Sequence, residues 1–276
     1  MVTLDRADAG APIMVTVLSK DGTTIASWRS GTGPALVLVH GATGDHTAFH
    51  GVLTELEPHL TVYAMDRRGR GASGDHPPYA LEREAEDIAA IADKIGGPVC
   101  VAGHSFGGLC ALEAARLTAN IASLVVYEPP VIAGDPDELP ILDELDELIA
   151  QDRRDEATVL FYQRVVGWSP EEIERVRADP SWEGRVASVH TVPRELRAIG
   201  PGHHFAWDAF GQFDRPTLLF TGELSPPDMR AGVGALHAVL PNSRMVVLQG
   251  QAHAGFRTAP KLVAAEVLQF LRSDVD

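Results

Sequence analysis

Lysine and cysteine are scarce in this 276-residue chain, and long apolar runs are missing. The lysines are Lys20, Lys94 and Lys261, and 38 acidic against 23 basic side chains leave a formal charge of −15. Binding to phosphate backbones needs clustered cations, so this balance argues against a nucleic-acid partner. The densest basic run, Asp66-Arg67-Arg68-Gly69-Arg70, is short and contains an acid and a glycine. Two cysteines, Cys100 and Cys110, could form at most one disulfide, so there is no disulfide framework. No run approaches the ~18 apolar residues of a membrane-spanning helix. The opening MVTLDRADAG has acids where a secretory signal carries a basic start and an apolar stretch. The expectation is a cytoplasmic protein without a membrane partner. Neither a Cys/His metal-ligand spacing nor a dinucleotide fingerprint follows the first buried strand, so no metal and no cofactor is expected.

What is present is the usual mixture of a globular protein, 45% hydrophobic and 22% charged, in a chain long enough to bury a core. Residues 14–19 and 24–28 are short apolar or β-branched runs separated by Lys20-Asp21-Gly22, which reads as a hairpin. Continuous apolar runs follow at 35–40, 62–65, 99–102, 124–127, 217–221 and 245–248, each suited to a strand buried on both faces. Helical patterns fall between them at 47–56, 81–95, 109–118, 229–239 and 260–271. This alternation predicts an α/β fold with a mostly parallel, eight-stranded sheet flanked by helices.

The alternation breaks between Pro129 and Asp214. Helix-like segments with acidic faces occupy 137–150, 155–166, 170–178 and roughly 185–199, and Ser169-Pro170-Glu171-Glu172 resembles a capped helix start. The organisation expected is a core domain of residues 1–128 and 215–276, with a helical cap, 129–214, inserted between strands six and seven. The cap reading is preferred over a separate helical domain because ligand sites in open α/β sheets lie beyond the strands' carboxyl ends.

Gly103-His104-Ser105-Phe106-Gly107 matches G-x-S-x-G, with an apolar strand running in and a helix running out. Such a tight strand-to-helix bend strains the serine backbone, and side chains at Gly103 or Gly107 would strike neighbouring backbone. The serine oxygen then projects at the sheet edge, next to a helix N-terminus that favours negative charge. A serine hydroxyl needs a base. Of eleven histidines, His253 fits best, because it follows the last strand and a short loop and so reaches the same edge. His203 and His204, adjacent in sequence, point in different directions and make poor joint metal ligands.

The sequence resembles the α/β-hydrolase superfamily, specifically its cap-bearing serine hydrolases. Four segments carry the resemblance: His40-Gly41-Ala42, Asp66 to Ser73, the Ser105 bend and Gly250-Gln251-Ala252-His253. The resemblance implies a Ser-acid-His triad in that chain order. It also implies an oxyanion hole, carried over here to the backbone amides of Ala42 and Phe106, and a structural role for Asp66–Ser73. His40 belongs to the first segment and is set aside as a base. The usual acid position, three residues after Gly222, is Ser225, which cannot hold a charge. Glu128, directly after the strand 124–127, ranks first as the replacement because some superfamily members take their acid there. Asp228 ranks second, although it also reads as a helix N-cap, and Glu223 third.

The activity implied is cleavage of an ester-type bond, in a carboxylester, thioester or lactone, of a small to medium, partly apolar substrate through an acyl-enzyme on Ser105. The cap should supply an apolar lining to the substrate site from Leu145, Leu148, Phe161, Tyr162 and Trp168, with Phe205 and Trp207 entering from its end. Dehalogenases and epoxide hydrolases of this fold use an Asp nucleophile, so Ser105 disfavours both. An acyltransferase, a C–C bond hydrolase, a cofactor-free peroxidase or a non-catalytic ligand-binding protein of the same fold stay open, as does a homodimer.

Overall fold

The computed structural model describes residues 11–131, 141–200 and 205–273. Eight strands form one sheet: β1 (Ile13–Leu18), β2 (Thr24–Gly31), β3 (Ala35–Val39), β4 (Thr61–Met65), β5 (Val99–His104), β6 (Ile121–Tyr127), β7 (Thr217–Gly222) and β8 (Ser243–Leu248). Their spatial order is β1-β2-β4-β3-β5-β6-β7-β8. The β1/β2 and β2/β4 pairs are antiparallel and all others parallel, so the expected eight-stranded, mostly parallel sheet is present.

The central strands read as unbroken apolar runs because both faces are covered. Val37 and Val39 face one layer with α2 (Leu81–Ile95), α3 (Phe106–Ala115) and α10 (Pro227–Val239). Leu36 and Leu38 face the other, with α1 (His50–Leu56), α11 (Gly255–Thr258) and α12 (Pro260–Ser273). This division follows from the two-residue period of a strand. Helix α2 sends a stripe of Leu81, Ala85, Ile88 and Ala92 inward and stops at Gly96, whose φ of 76° provides the left-handed cap.

Two helix boundaries differ from the sequence expectation. Residues 47–56 are not one helix: the Asp45 carboxylate accepts from the Thr47 amide at 2.8 Å and starts a 3-10 turn, His46–Phe49, before α1. Residues 185–199 divide into α7 (Trp182–Ser188) and α8 (Val192–Ala198) around a turn at 189–191. Pro193 sits in the first turn of α8, where its missing N–H costs no hydrogen bond.

Between β6 and β7 every described element is helical: α4 (Ile141–Ala150), α5 (Arg154–Phe161), a π-helical turn Tyr162–Val166, α6 (Pro170–Arg177), α7, α8 and α9 (Trp207–Phe210). Residues 137–140 of the expected first helix, and His203 and His204, lie outside the described residues. Ser169 caps α6 as its sequence suggested: its hydroxyl accepts from the Glu172 amide, and the Glu172 carboxylate accepts from the Ser169 amide at 2.8 Å. The inserted helices bury a cluster of their own, including Leu145, Leu148, Phe161, Tyr162, Val189 and Leu196, with Ala42 and Met229 at its border. No helix among the described residues is long and apolar enough to cross a membrane.

Candidate active site

Strand register determines what meets at the sheet's carboxyl edge. His104 pairs with Tyr127 across β5 and β6, and Tyr127 with Phe220 across β6 and β7. Ser105, Glu128 and Thr221, each one residue further on, therefore leave the sheet abreast. Both Ser105 (φ 53°) and Glu128 (φ 42°) have left-handed φ values that L-residues rarely adopt. The glycines explain how the bend at Ser105 is possible. A Cβ on Gly103 would lie 2.4 Å from the Gly107 carbonyl oxygen, and one on Gly107 would lie 2.4 Å from those of Val39 and His40.

His253 follows β8 and is buried. Its Nδ1 lies 2.8 Å from Glu128 Oε2. The other carboxylate oxygen, Oε1, accepts from the Thr221 hydroxyl at 2.7 Å and the Gly222 amide at 2.8 Å. Burial pushes the Glu128 carboxyl up, but the His253 hydrogen bond and charge, the nearby Ser225 hydroxyl and the Gly222 amide outweigh it and hold the group below the usual glutamate range. Ser225, at the position where an acid was missed, is buried beside this carboxylate.

The competing acids go elsewhere. Glu223 accepts from the Gly250 amide at 2.8 Å. Asp228 is exposed in the first turn of α10 and lines the cavity; the helix starts at Pro227 after Pro226, so Asp228 is not its N-cap.

Two side chains unremarked in the sequence hold the His253 loop. The Tyr127 hydroxyl donates to the Ala252 carbonyl oxygen, and His104 Nε2 donates to that of His253 at 2.6 Å. Burial, followed by the proximity of His253, lowers the His104 pKa to about 3, so its imidazole stays neutral and can keep a single N–H on Nε2. His104 occupies the variable position of the serine motif, which was the signal available in the sequence. His40 is also neutral, since burial and the charges of Arg67 and Arg70 push it well below its usual range. Its Nε2 accepts from the Arg67 amide at 3.0 Å, bracing the loop that carries Ala42.

A cavity of about 430 Å³ lies over this edge, lined by Ala42, Ser105, Phe106, Glu128 and His253 below, and by Phe161, Val165, Leu196, Ile199 and Met229 around it. A recess of about 70 Å³ adjoins it, sharing Ala42, Ser105, Phe161 and His253 and adding Tyr162, Trp168, Arg185 and Arg257. Tyr162 stacks on Trp168 with centroids 4.3 Å apart, and its hydroxyl bridges Thr43 Oγ1 (2.6 Å) and an Arg185 N–H (2.7 Å).

Of the expected lining residues, Phe161, Tyr162 and Trp168 reach the two cavities. Trp207 does not: it packs edge-on to Phe205 with centroids 4.7 Å apart, against the cluster under the sheet that includes Phe210 and Ile199. Phe205 is buried in the same cluster, and Leu145 and Leu148 are buried within the inserted helices. Size and apolarity marked these residues, but the direction each side chain takes depended on tertiary packing. Among the described residues no group of three His, Cys, Asp or Glu side chains could hold a metal ion.

Comparison with known proteins bears on the family. A sequence model described as the alpha/beta hydrolase family matches residues 36–266. A solved alpha/beta hydrolase from Sphaerobacter thermophilus is 39% identical, covers 93% of this chain and 100% of its own, and superposes with a TM-score of 0.83. A pimeloyl-(acyl-carrier protein) methyl ester esterase of Xanthomonas oryzae is 26% identical over 88% of this chain and 97% of its own. Lipase LipV of Mycobacterium tuberculosis is 38% identical over a shorter stretch, 36% of this chain and 39% of the lipase.

Proposed function

Because this chain belongs to the alpha/beta hydrolase family, we propose that it hydrolyses an ester-type bond of a small to medium, partly apolar substrate through an acyl-enzyme on Ser105. The observation that carries this reading is the 2.8 Å contact of His253 Nδ1 with Glu128, which leaves Nε2 free beside a cavity that Ser105 also lines. The naming of relatives as esterase and lipase supports the reaction class. The inserted helices act in this reading as a cap, supplying most of the apolar wall.

Ser105 Oγ attacks the ester carbonyl carbon while His253 Nε2 takes its proton. Glu128 accepts the Nδ1–H and stabilises the imidazolium so formed. The amides of Phe106, at the start of α3, and of Ala42 receive the tetrahedral oxyanion, where fixed donors are worth far more than solvent. Collapse breaks the bond to the alcohol oxygen, which leaves with the proton from His253. Water then attacks the acyl-enzyme by the same route in reverse, giving the acid and restoring Ser105.

A fluorophosphonate is the direct test. It should add one phosphonyl group to the wild-type chain, located on Ser105 by peptide mass mapping, and none to Ser105→Ala. Labelling elsewhere, or no labelling of a protein that hydrolyses aryl esters, would refute the assignment of the nucleophile.

A further inference from the structure

The two cavities that share Ser105 differ in charge. The larger is walled by apolar side chains such as Val165, Ile199 and Met229, whereas the recess holds two arginines, Arg185 from α7 and Arg257 from α11. Arg185 spends its N–H groups on neutral partners, the Tyr162 and Ser181 hydroxyls. The Arg257 guanidinium makes no hydrogen bond or ion pair with any described residue, although the residue is half-buried. An unpaired guanidinium is costly to bury beside another, and burial followed by the charge of Arg185 does lower the Arg257 pKa. Asp179 is the acid near enough to compensate, but its carboxylate accepts from the Ser181 amide, and Arg175 adds a further positive charge to the surroundings. Such a concentration is unusual in a chain whose formal charge is −15.

We propose that Arg185 and Arg257 bind a carboxylate on one arm of the ester, while the other, apolar arm fills the 430 Å³ cavity on the far side of Ser105. This rests on the esterase reading above and adds the substrate class: an ester of a bifunctional molecule, charged at one end and apolar at the other. The geometry suits the task because a guanidinium offers paired donors to a carboxylate, and both guanidinium-bearing residues line the recess.

The test compares charged and neutral esters of equal shape. In one arm the charge is on the leaving group, as 4-(hexanoyloxy)benzoate against 4-(hexanoyloxy)benzamide. In the other it is on the acyl group, as phenyl hydrogen adipate against its monoamide. Wild-type kcat/KM should favour the anion on the order of tenfold in one of the two arms. Arg257→Gln should bring that ratio close to one, chiefly through KM, and Arg257→Lys should restore part of it. A ratio at or below one in both arms, or a preference that survives in Arg257→Gln, would overturn the proposal. Calorimetric binding of the same pairs to Ser105→Ala reads the preference without turnover. Discrimination without hydrolysis would therefore strike the esterase reading alone, and hydrolysis without discrimination the carboxylate assignment alone.

Discussion

Two buried assemblies of charge stand a short distance apart in this molecule, and they are put to opposite uses. In one, Arg67 and Arg70, from the loop after β4, face Glu84 of α2 and Glu195 of α8. Arg67 contacts Glu84 at 2.7 Å and Glu195 at 2.6 Å, Arg70 pairs with Glu195 as well, and all four side chains are essentially inaccessible. Two positive and two negative charges cancel, and the assembly fastens the inserted helices to the core. In the other, Glu128 holds His253, and the remaining imidazole nitrogen has no partner among the described residues. Buried pairing alone therefore does not mark chemistry. Glu195 of the first assembly also lines that cavity with one carboxylate oxygen unpartnered, so what distinguishes the second is an imidazole nitrogen left over at the cavity that Ser105 lines.

The sharpest way to break this comparison is to remove the terminal group. Ser105→Ala should lower kcat on an activated ester by about 10⁴-fold or more while leaving the urea midpoint close to wild type. If the rate persists, the second assembly is as structural as the first. Next in size is the acid. Glu128→Gln should cost about 10²–10⁴-fold in kcat, because it removes the charge that balances the imidazolium. Asp228→Asn, at the rim of the same cavity, should lose far less. The reverse order, measured on one ester, would hand the role to Asp228.

The same contrast explains what could be read from sequence. The sheet was legible because each central strand is covered on both faces, so that Leu36–Val39 or Leu218–Phe220 appears as an unbroken apolar run. The serine bend was legible because its constraint is local: Gly103 and Gly107 have no room for a Cβ. Glu128 followed from an absence at Ser225, which only a family pattern makes visible. The resemblance gives Asp66–Ser73 a structural role, and Asp66 accepts from the amides of His46 and Ala72 at 2.9 Å. Trp207 was misplaced because nothing in its neighbourhood records which way the ring turns. Arg185 and Arg257 went unnoticed for a similar reason. Each looks like an ordinary surface cation in its own helix, and only the fold brings the two into one recess.

The first assembly has its own tests, smaller in effect. Glu195→Ala leaves both arginines to share Glu84, 2.7 Å from Arg67 and 3.7 Å from Arg70, so unfolding free energy should fall by about 3–5 kcal/mol in urea titrations. A loss below about 1 kcal/mol would mean that the inserted helices are held mainly by apolar contacts such as those of Val192 and Leu196.

Acid should loosen the same fastening by degrees. Burial raises the Glu84 carboxyl, but the charges of Arg67 and Arg70 outweigh it and leave the group below its usual range. A carboxylate depressed in the folded state contributes stability that is complete above its unfolded pKa, about 4.3, and is lost as pH falls through the lower folded value. The urea midpoint should therefore change little through this group between pH 7 and 5 and decline below about pH 4.3. In Glu84→Gln the midpoint at pH 7 should start lower, and its further fall on acidification should be smaller, because that proton is no longer taken up on unfolding of the native pair. An equally steep acid limb in the variant would shift the cause to other depressed carboxyls, among them Asp21, Asp66, Asp179 and Glu128.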